Sequence, residues 1–236
     1  MLRVVAFTTL LLLTSFSAVA SSFTVDPVLV KLNSAKPTAA LTLRNTEDRP
    51  LTIEVEALDW AQSDGEDSLS SSRHLIAVPP IFTLQGGEQQ IVRVGLRNPQ
   101  AEAIEQAFRL LFKEVPQLAV NGQGLRIALR VSLPVFVAPE GPAPKFLDWR
   151  ARVIDGQILE IRSENHGAVH WRNADMEVLR KSDLSSLAVD KSLVYILPGT
   201  SRQWRFNTAK PLVVGDELLI ITRNYGRTVQ TRVVVE

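Results

Sequence analysis

The chain has 236 residues, 26 Lys+Arg against 25 Asp+Glu, 45% hydrophobic residues and no cysteine. That balance excludes collagen, low-complexity disorder and the disulfide mini-domain, and the interspersed charges leave no basic footprint for nucleic acid or an acidic membrane surface. The length suits two full-size domains, each held by packing alone.

Met1, Leu2 and Arg3 precede an apolar run over 4–13 and a small-residue stretch ending in Ala18-Val19-Ala20. This is the pattern of a secretory signal peptide over residues 1–20, with cleavage expected before Ser21. No later segment has the roughly 20 apolar residues of a spanning helix, so an exported protein without membrane insertion is expected.

Beyond residue 20 helical periodicity is scarce and strand signals dominate. Candidate strands fall at 23–32, 38–45, 51–60, 81–84, 89–96 and 107–115, with turn chemistry at 45–50, Gln85-Gly86-Gly87 and Asn98-Pro99. The acid- and serine-rich stretch 63–72 is expected to be a solvated loop. The strongest signal is period-two alternation: Leu125, Ile127, Leu129, Val131, Leu133, Val135 and Val137 are all apolar. Alternation of this kind gives one long strand with one buried face. Pro134 cannot donate a ladder hydrogen bond and should lie at a sheet edge or bulge.

Residues 138–144 (APEGPAP) hold three prolines and one glycine, a linker composition. The expected division is therefore a first domain over 21–138, a linker over 139–144 and a second domain over 145–236. In the latter, strands are expected at 146–153, 157–163, 176–180, 192–196, 202–206, 217–223 and 230–235. Turns are expected at Asp155-Gly156, Asn165-His166-Gly167, Pro198-Gly199 and Asn224-Tyr225-Gly226. Two all-β sandwiches result.

Chemistry-bearing motifs are sparse. His166 and His170 stand four apart, but Asn165 and Gly167 make the segment a turn rather than a helix, so surface histidines are expected and no metal site. No nucleophile elbow, phosphate-cradling glycine loop or zinc-binding helix appears, and the expectation is a protein that is not an enzyme and has no cofactor. Trp60, Trp149, Trp171 and Trp204 each sit in or beside an apolar strand and read as core. A secreted β-sandwich adhesin or carbohydrate-binding module, with these tryptophans as a stacking platform, is the alternative.

The segments FTVDPVLVKL (23–32), AVPPIFTLQGGEQQIVRVGL (77–96), AFRLLFKEVP (107–116), LRIALRVSLPVFVAP (125–139), SENHGAVHW (163–171), LVYILPGTSRQWRF (193–206) and ITRNYGR (221–227) together resemble the periplasmic pilus (fimbrial) assembly chaperones of the chaperone–usher pathway. The SLPVF form of the long strand looks like the divergent, archaic branch. The resemblance implies two immunoglobulin-like domains in an L. It also implies capture of pilin subunits by a donated edge strand and delivery to an outer-membrane usher. The residues leave the oligomeric state open, since a strand-donating edge can be capped by self-association into a homodimer when no client is present. Leu125, Ile127, Leu129 and Val131 would be the donor residues. Members of the family hold the client's terminal carboxylate on two basic cleft residues of the first domain; the matching positions here are Leu29 and Pro134, neither of which can bind a carboxylate. A substitute is expected among Arg109, Arg93, Arg130 and Lys113, with Arg109 first because its strand pairs beside the donor strand. Glu105 matches the acidic member of the family's interdomain charge network, whereas its basic and second acidic positions are Ala138 and Asn224, so the domain angle is expected to be set differently.

Overall fold

The computed structural model describes residues 23–116 and 128–236, and over them all regular structure is strand. The first half contains β1 (Phe23–Asp26), β2 (Val30–Leu32), β3 (Thr38–Asn45), β4 (Leu51–Ser63), β5 (Glu66–Ser71), β6 (Leu75–Val78), β7 (Ile81–Leu84), β8 (Gln89–Leu96), β9 (Gln106–Glu114) and β10 (Arg130–Val137). They form one sheet of order β1-β3-β8-β6 and a second of order β2-β10-β9-β4-β5, with β7 paired to β4. Leu41, Leu43, Val92 and Val94 of one sheet meet Ile53, Leu110, Phe112 and Val135 of the other in a shared core. Alternation along each strand puts these side chains inward.

The second half contains β11 (Leu147–Ile154), β12 (Ile158–Asn165), β13 (Trp171–Arg180), β14 (Ser186–Asp190), β15 (Val194–Ile196), β16 (Ser201–Asn207), β17 (Glu217–Asn224) and β18 (Arg227–Val234). The sheets run β11-β12-β16 and β14-β13-β17-β18, with β15 paired to β13. Trp149 and Trp204 stack at 5.8 Å within this second core, and Trp171 packs against it.

Four expectations change. The long strand expected over 125–137 is strand only from Arg130, with Ala128 and Leu129 outside any strand and 125–127 outside the described residues. The first strand divides at Pro27: β1 pairs with β3 in one sheet, while β2 pairs in parallel with β10 in the other. The stretch 63–72 is not a loop, because Asp64 and Gly65 both take positive φ, +52° and +81°, and close a two-residue hairpin that pairs β5 along β4 from Leu58↔Ser71 to Ser63↔Glu66. An Asp-Gly pair is suited to such a turn, and that local signal outweighs the polarity of the flanking residues. The short strands β6 and β14 have no counterpart among the expected elements.

One buried asparagine ties a turn in each half. Asn45 donates to the carbonyls of Arg49, Leu84 and Gln85, and Asn165 to those of Val169 and Ile196. The second bond set explains the compact turn at 165–167: Gly167 N–H donates to the Asn165 side chain at 2.9 Å. A Cβ on Gly167 would stand 2.6 Å from the Pro144 carbonyl oxygen, so only glycine allows this turn against the linker.

Candidate functional site

The strand β10 is the structural centre of the site. Along one edge it pairs with β9 from Arg130↔Lys113 to Val137↔Gln106. Along the other, β2 covers only Val135 to Val137. From Arg130 to Pro134 that second edge carries no strand among the described residues, and Pro134 sits at the last open position. Leu129 and Val131 are partly buried against the first core, with Leu133, Val135 and Val137 continuing the same face inward. Leu125 and Ile127 lie outside the described residues.

The opposite face of β10 is buried at Phe136 because the second half packs on it. Phe136, Trp60 and Leu197 are the buried members of an interdomain cluster, joined by Leu29, Ala107 and Tyr195. Continuous burial from Leu133 to Val137 thus has two causes, a core on one face and a domain interface on the other.

The β4–β5 hairpin reaches over as an arm. The Gln62 side chain donates to Tyr195 O at 2.9 Å and Asp67 Oδ1 at 2.8 Å. Its carbonyl oxygen accepts from Leu197 N–H and the Thr200 hydroxyl, each at 2.9 Å. Arg202 donates to the Gly65 carbonyl oxygen at the tip. The arm's inner side holds Arg109: its guanidinium lies 3.7 Å over the Trp60 ring, and Asp67 stands 4.0 Å away. Burial lowers the Arg109 pKa below the usual arginine value, while Asp67 acts in the opposite direction. A stacked, partly desolvated guanidinium interacts more strongly with an anion than one in water.

Arg109 lines a cavity of about 580 Å³ together with Leu29, Ser132, Pro134, Arg172 and Tyr225. The other expected anchor candidates are placed elsewhere. Arg93 is exposed on the outer face of the β1-β3-β8-β6 sheet, opposite Ala40 and Val78. Arg130 and Lys113 are register partners at the far end of β10, where Lys113 is paired to Glu56.

Behind Tyr225, a second interdomain cavity of about 660 Å³ is lined by Glu105, Ala138, His170, Asn224 and Tyr225. His170 is buried here, not on the surface, because its turn is pressed against the first half. Its backbone N–H donates to Glu105 Oε1 at 2.8 Å, and its ring Nδ1 lies 2.6 Å from the same oxygen. A carboxylate only accepts, so Nδ1 carries the proton, and in the neutral ring Nε2 accepts from the Tyr225 hydroxyl at 2.6 Å. Burial, and less strongly Tyr195, pushes that hydroxyl's pKa up, keeping it a donor at neutral pH. An imidazole from the second half thus meets Glu105 beside Ala138, where the family resemblance implies a basic side chain. His166 remains largely exposed, and no cluster suited to a metal ion occurs among the described residues.

Sequence reasoning read His170 as a surface histidine and Tyr225 as a turn residue, and gave no role to Arg172, Tyr195 or Gln62. Only the Asp64-Gly65 pair offered a local signal, pointing to the hairpin that carries Gln62.

With this geometry in place, the comparisons are specific. Residues 22–143 match the family described as "Pili and flagellar-assembly chaperone, PapD N-terminal domain". The chain is 25% identical over 206 residues to the fimbrial chaperone YhcA of Escherichia coli K12, covering 85% of each. It is also 25% identical over 142 residues to the chaperone protein PmfD of Proteus mirabilis, covering 58% of this chain and 53% of that one. Among solved structures it is similar to the CsuC–CsuE chaperone-tip adhesion subunit pre-assembly complex from archaic chaperone-usher Csu pili of Acinetobacter baumannii. That match has TM-score 0.70 at 18% identity and covers 92% of this chain and all of that one. It is similar too to the SafB chaperone–SafA pilin complex of Salmonella enterica, with TM-score 0.61 at 17% identity over 90% of this chain and 96% of that one.

Proposed function

The chain belongs to the family of pilus-assembly chaperones, and from that premise we propose that it captures pilin subunits in the periplasm and passes them to an outer-membrane usher. The observation that supports this reading best is the open edge of β10 from Arg130 to Pro134, preceded in sequence by the alternating apolar residues Leu125, Ile127 and Leu129.

A sandwich lacking its final strand exposes an apolar groove and two unpaired sheet edges, a surface prone to aggregation. The segment that includes Leu125, Ile127, Leu129 and Val131 lies in that groove and pairs its backbone with the exposed edges. Each apolar side chain buried contributes about 1.5–3 kcal/mol before ordering costs, more than the roughly 0.5–1.5 kcal/mol net of each backbone hydrogen bond. Apolar insertion therefore dominates affinity. Arg109 fixes the register by holding the client's terminal carboxylate, since a one-residue slip would turn the inserted side chains outward. Without a client, the same edge can pair with a second copy of the chain. The role is binding and release with no catalytic step.

Co-expression with pilin-like subunits in the periplasm, followed by co-purification, tests this reading. Recovery of subunits with the wild-type chain and their loss with Ile127→Asp is the expected result. If Ile127→Asp instead unfolds the isolated protein, the segment is core and the donor role fails. Intact mass of the periplasmic product tests cleavage before Ser21.

A further inference from the structure

The 580 Å³ cavity at the end of the open edge is lined by two arginines from different halves of the molecule, Arg109 on β9 and Arg172 on β13. Arg109 carries Asp67 at 4.0 Å, so part of its charge is already answered. Arg172 is half-buried, with its guanidinium 5.2 Å from the Tyr225 ring, and makes no ion pair among the described residues. A cation held in a cleft beside aromatic rings, without a carboxylate, is disposed to receive one.

The geometry of β2 says which carboxylate arrives. β2 runs parallel to β10 and its pairing starts at Val30↔Val135. A strand added along Arg130 to Pro134 lies in line with β2 and must stop short of Val28 and Leu29, which line the same cavity. If it runs parallel to β10, as β2 does, the end that stops there is its C-terminus. Two carboxylate oxygens can then each accept from one guanidinium.

We propose that Arg172 is the second cation for the terminus of the added strand, so that capture clamps the second half of the molecule onto the first. This rests on the reading of β10 as a donated edge. It differs from the arrangement implied by the family resemblance, in which both cleft cations belong to the first domain.

The probe is a fluorescein-labelled eight-residue peptide of alternating valine and threonine, made with a free and with an amidated C-terminus, titrated onto the full chain by fluorescence anisotropy. The free acid is expected to bind at least tenfold more tightly than the amide, about 1.4 kcal/mol. Arg172→Ala is expected to remove most of that difference while leaving affinity for the amide and the thermal unfolding midpoint unchanged, and Arg172→Lys to restore part of it. If Arg109→Ala abolishes the difference and Arg172→Ala does not, the second-cation assignment is wrong and the cleft anchor stands. If acid and amide bind wild type equally, or neither binds, both the clamp and the anchor fail.

Discussion

The imidazole of His170 lies face to face on the ring of Phe136, with centroids 3.7 Å apart and planes 14° from parallel. One residue comes from the turn before β13 and the other from β10, so the stack joins the two halves at the end of that strand that β2 covers. His170→Ala is expected to remove the stack and leave Glu105 with a single donor in a buried site. The cost should be on the order of 2 kcal/mol, read as a lower midpoint in urea unfolding. His170→Gln, which keeps a side-chain donor, should recover part of it. An unchanged midpoint for His170→Ala would show that the contact does not hold the domains.

The arm makes a second, separable prediction. All four hydrogen bonds of the Gln62 side chain are used, three of them to the second half. Gln62→Ala should cost about 1–3 kcal/mol and expose the β4–β5 hairpin to limited proteolysis near Asp64. Resistance equal to wild type would mean that the apolar cluster alone seats the arm.

Arg109 combines charge with a flat face against Trp60. Arg109→Lys keeps the charge but loses the stack and the fork of donors. Client capture by this variant is expected to weaken about tenfold, or 1.4 kcal/mol, and more in Arg109→Ala, with the isolated fold intact. Equal capture by Lys and Arg variants would reduce the residue's role to a point charge.

Glu160 gives the pH prediction. It is 5% exposed and sits opposite both Arg152 and Arg205 in adjacent strands. Burial alone would raise its pKa, but hydrogen bonds from the two arginines outweigh that and hold the carboxyl below its usual value. A depressed folded-state pKa gives stability that is present above the ordinary carboxylate value of about 4.3 and is lost as pH falls through the folded value. Glu160→Gln should therefore be less stable than wild type at pH 7, and the gap should close toward pH 3. A gap that is the same at both pH values would assign the effect to packing.

Much of this protein was legible in residue order because local patterning carries it. Apolar residues at every second position from 131 to 137 specify a strand and its inner face without reference to any partner, and the Pro-rich stretch 138–144 divides two strand-rich regions. Pro134 announced an edge because it lacks an N–H. The tertiary structure alone decided what meets across the halves. His170 reads as a loop histidine because the residues that bury it, Phe136, Glu105 and Tyr225, lie 34, 65 and 55 positions away. Among Arg109, Arg93, Arg130 and Lys113, all on first-domain strands, only position in the sheets put Arg109 at the cleft, and no first-domain pattern could have named Arg172. Period and turn chemistry act over a few residues and are written in sequence, whereas convergence of charges in a cleft depends on how two packed cores are docked, which no local pattern encodes.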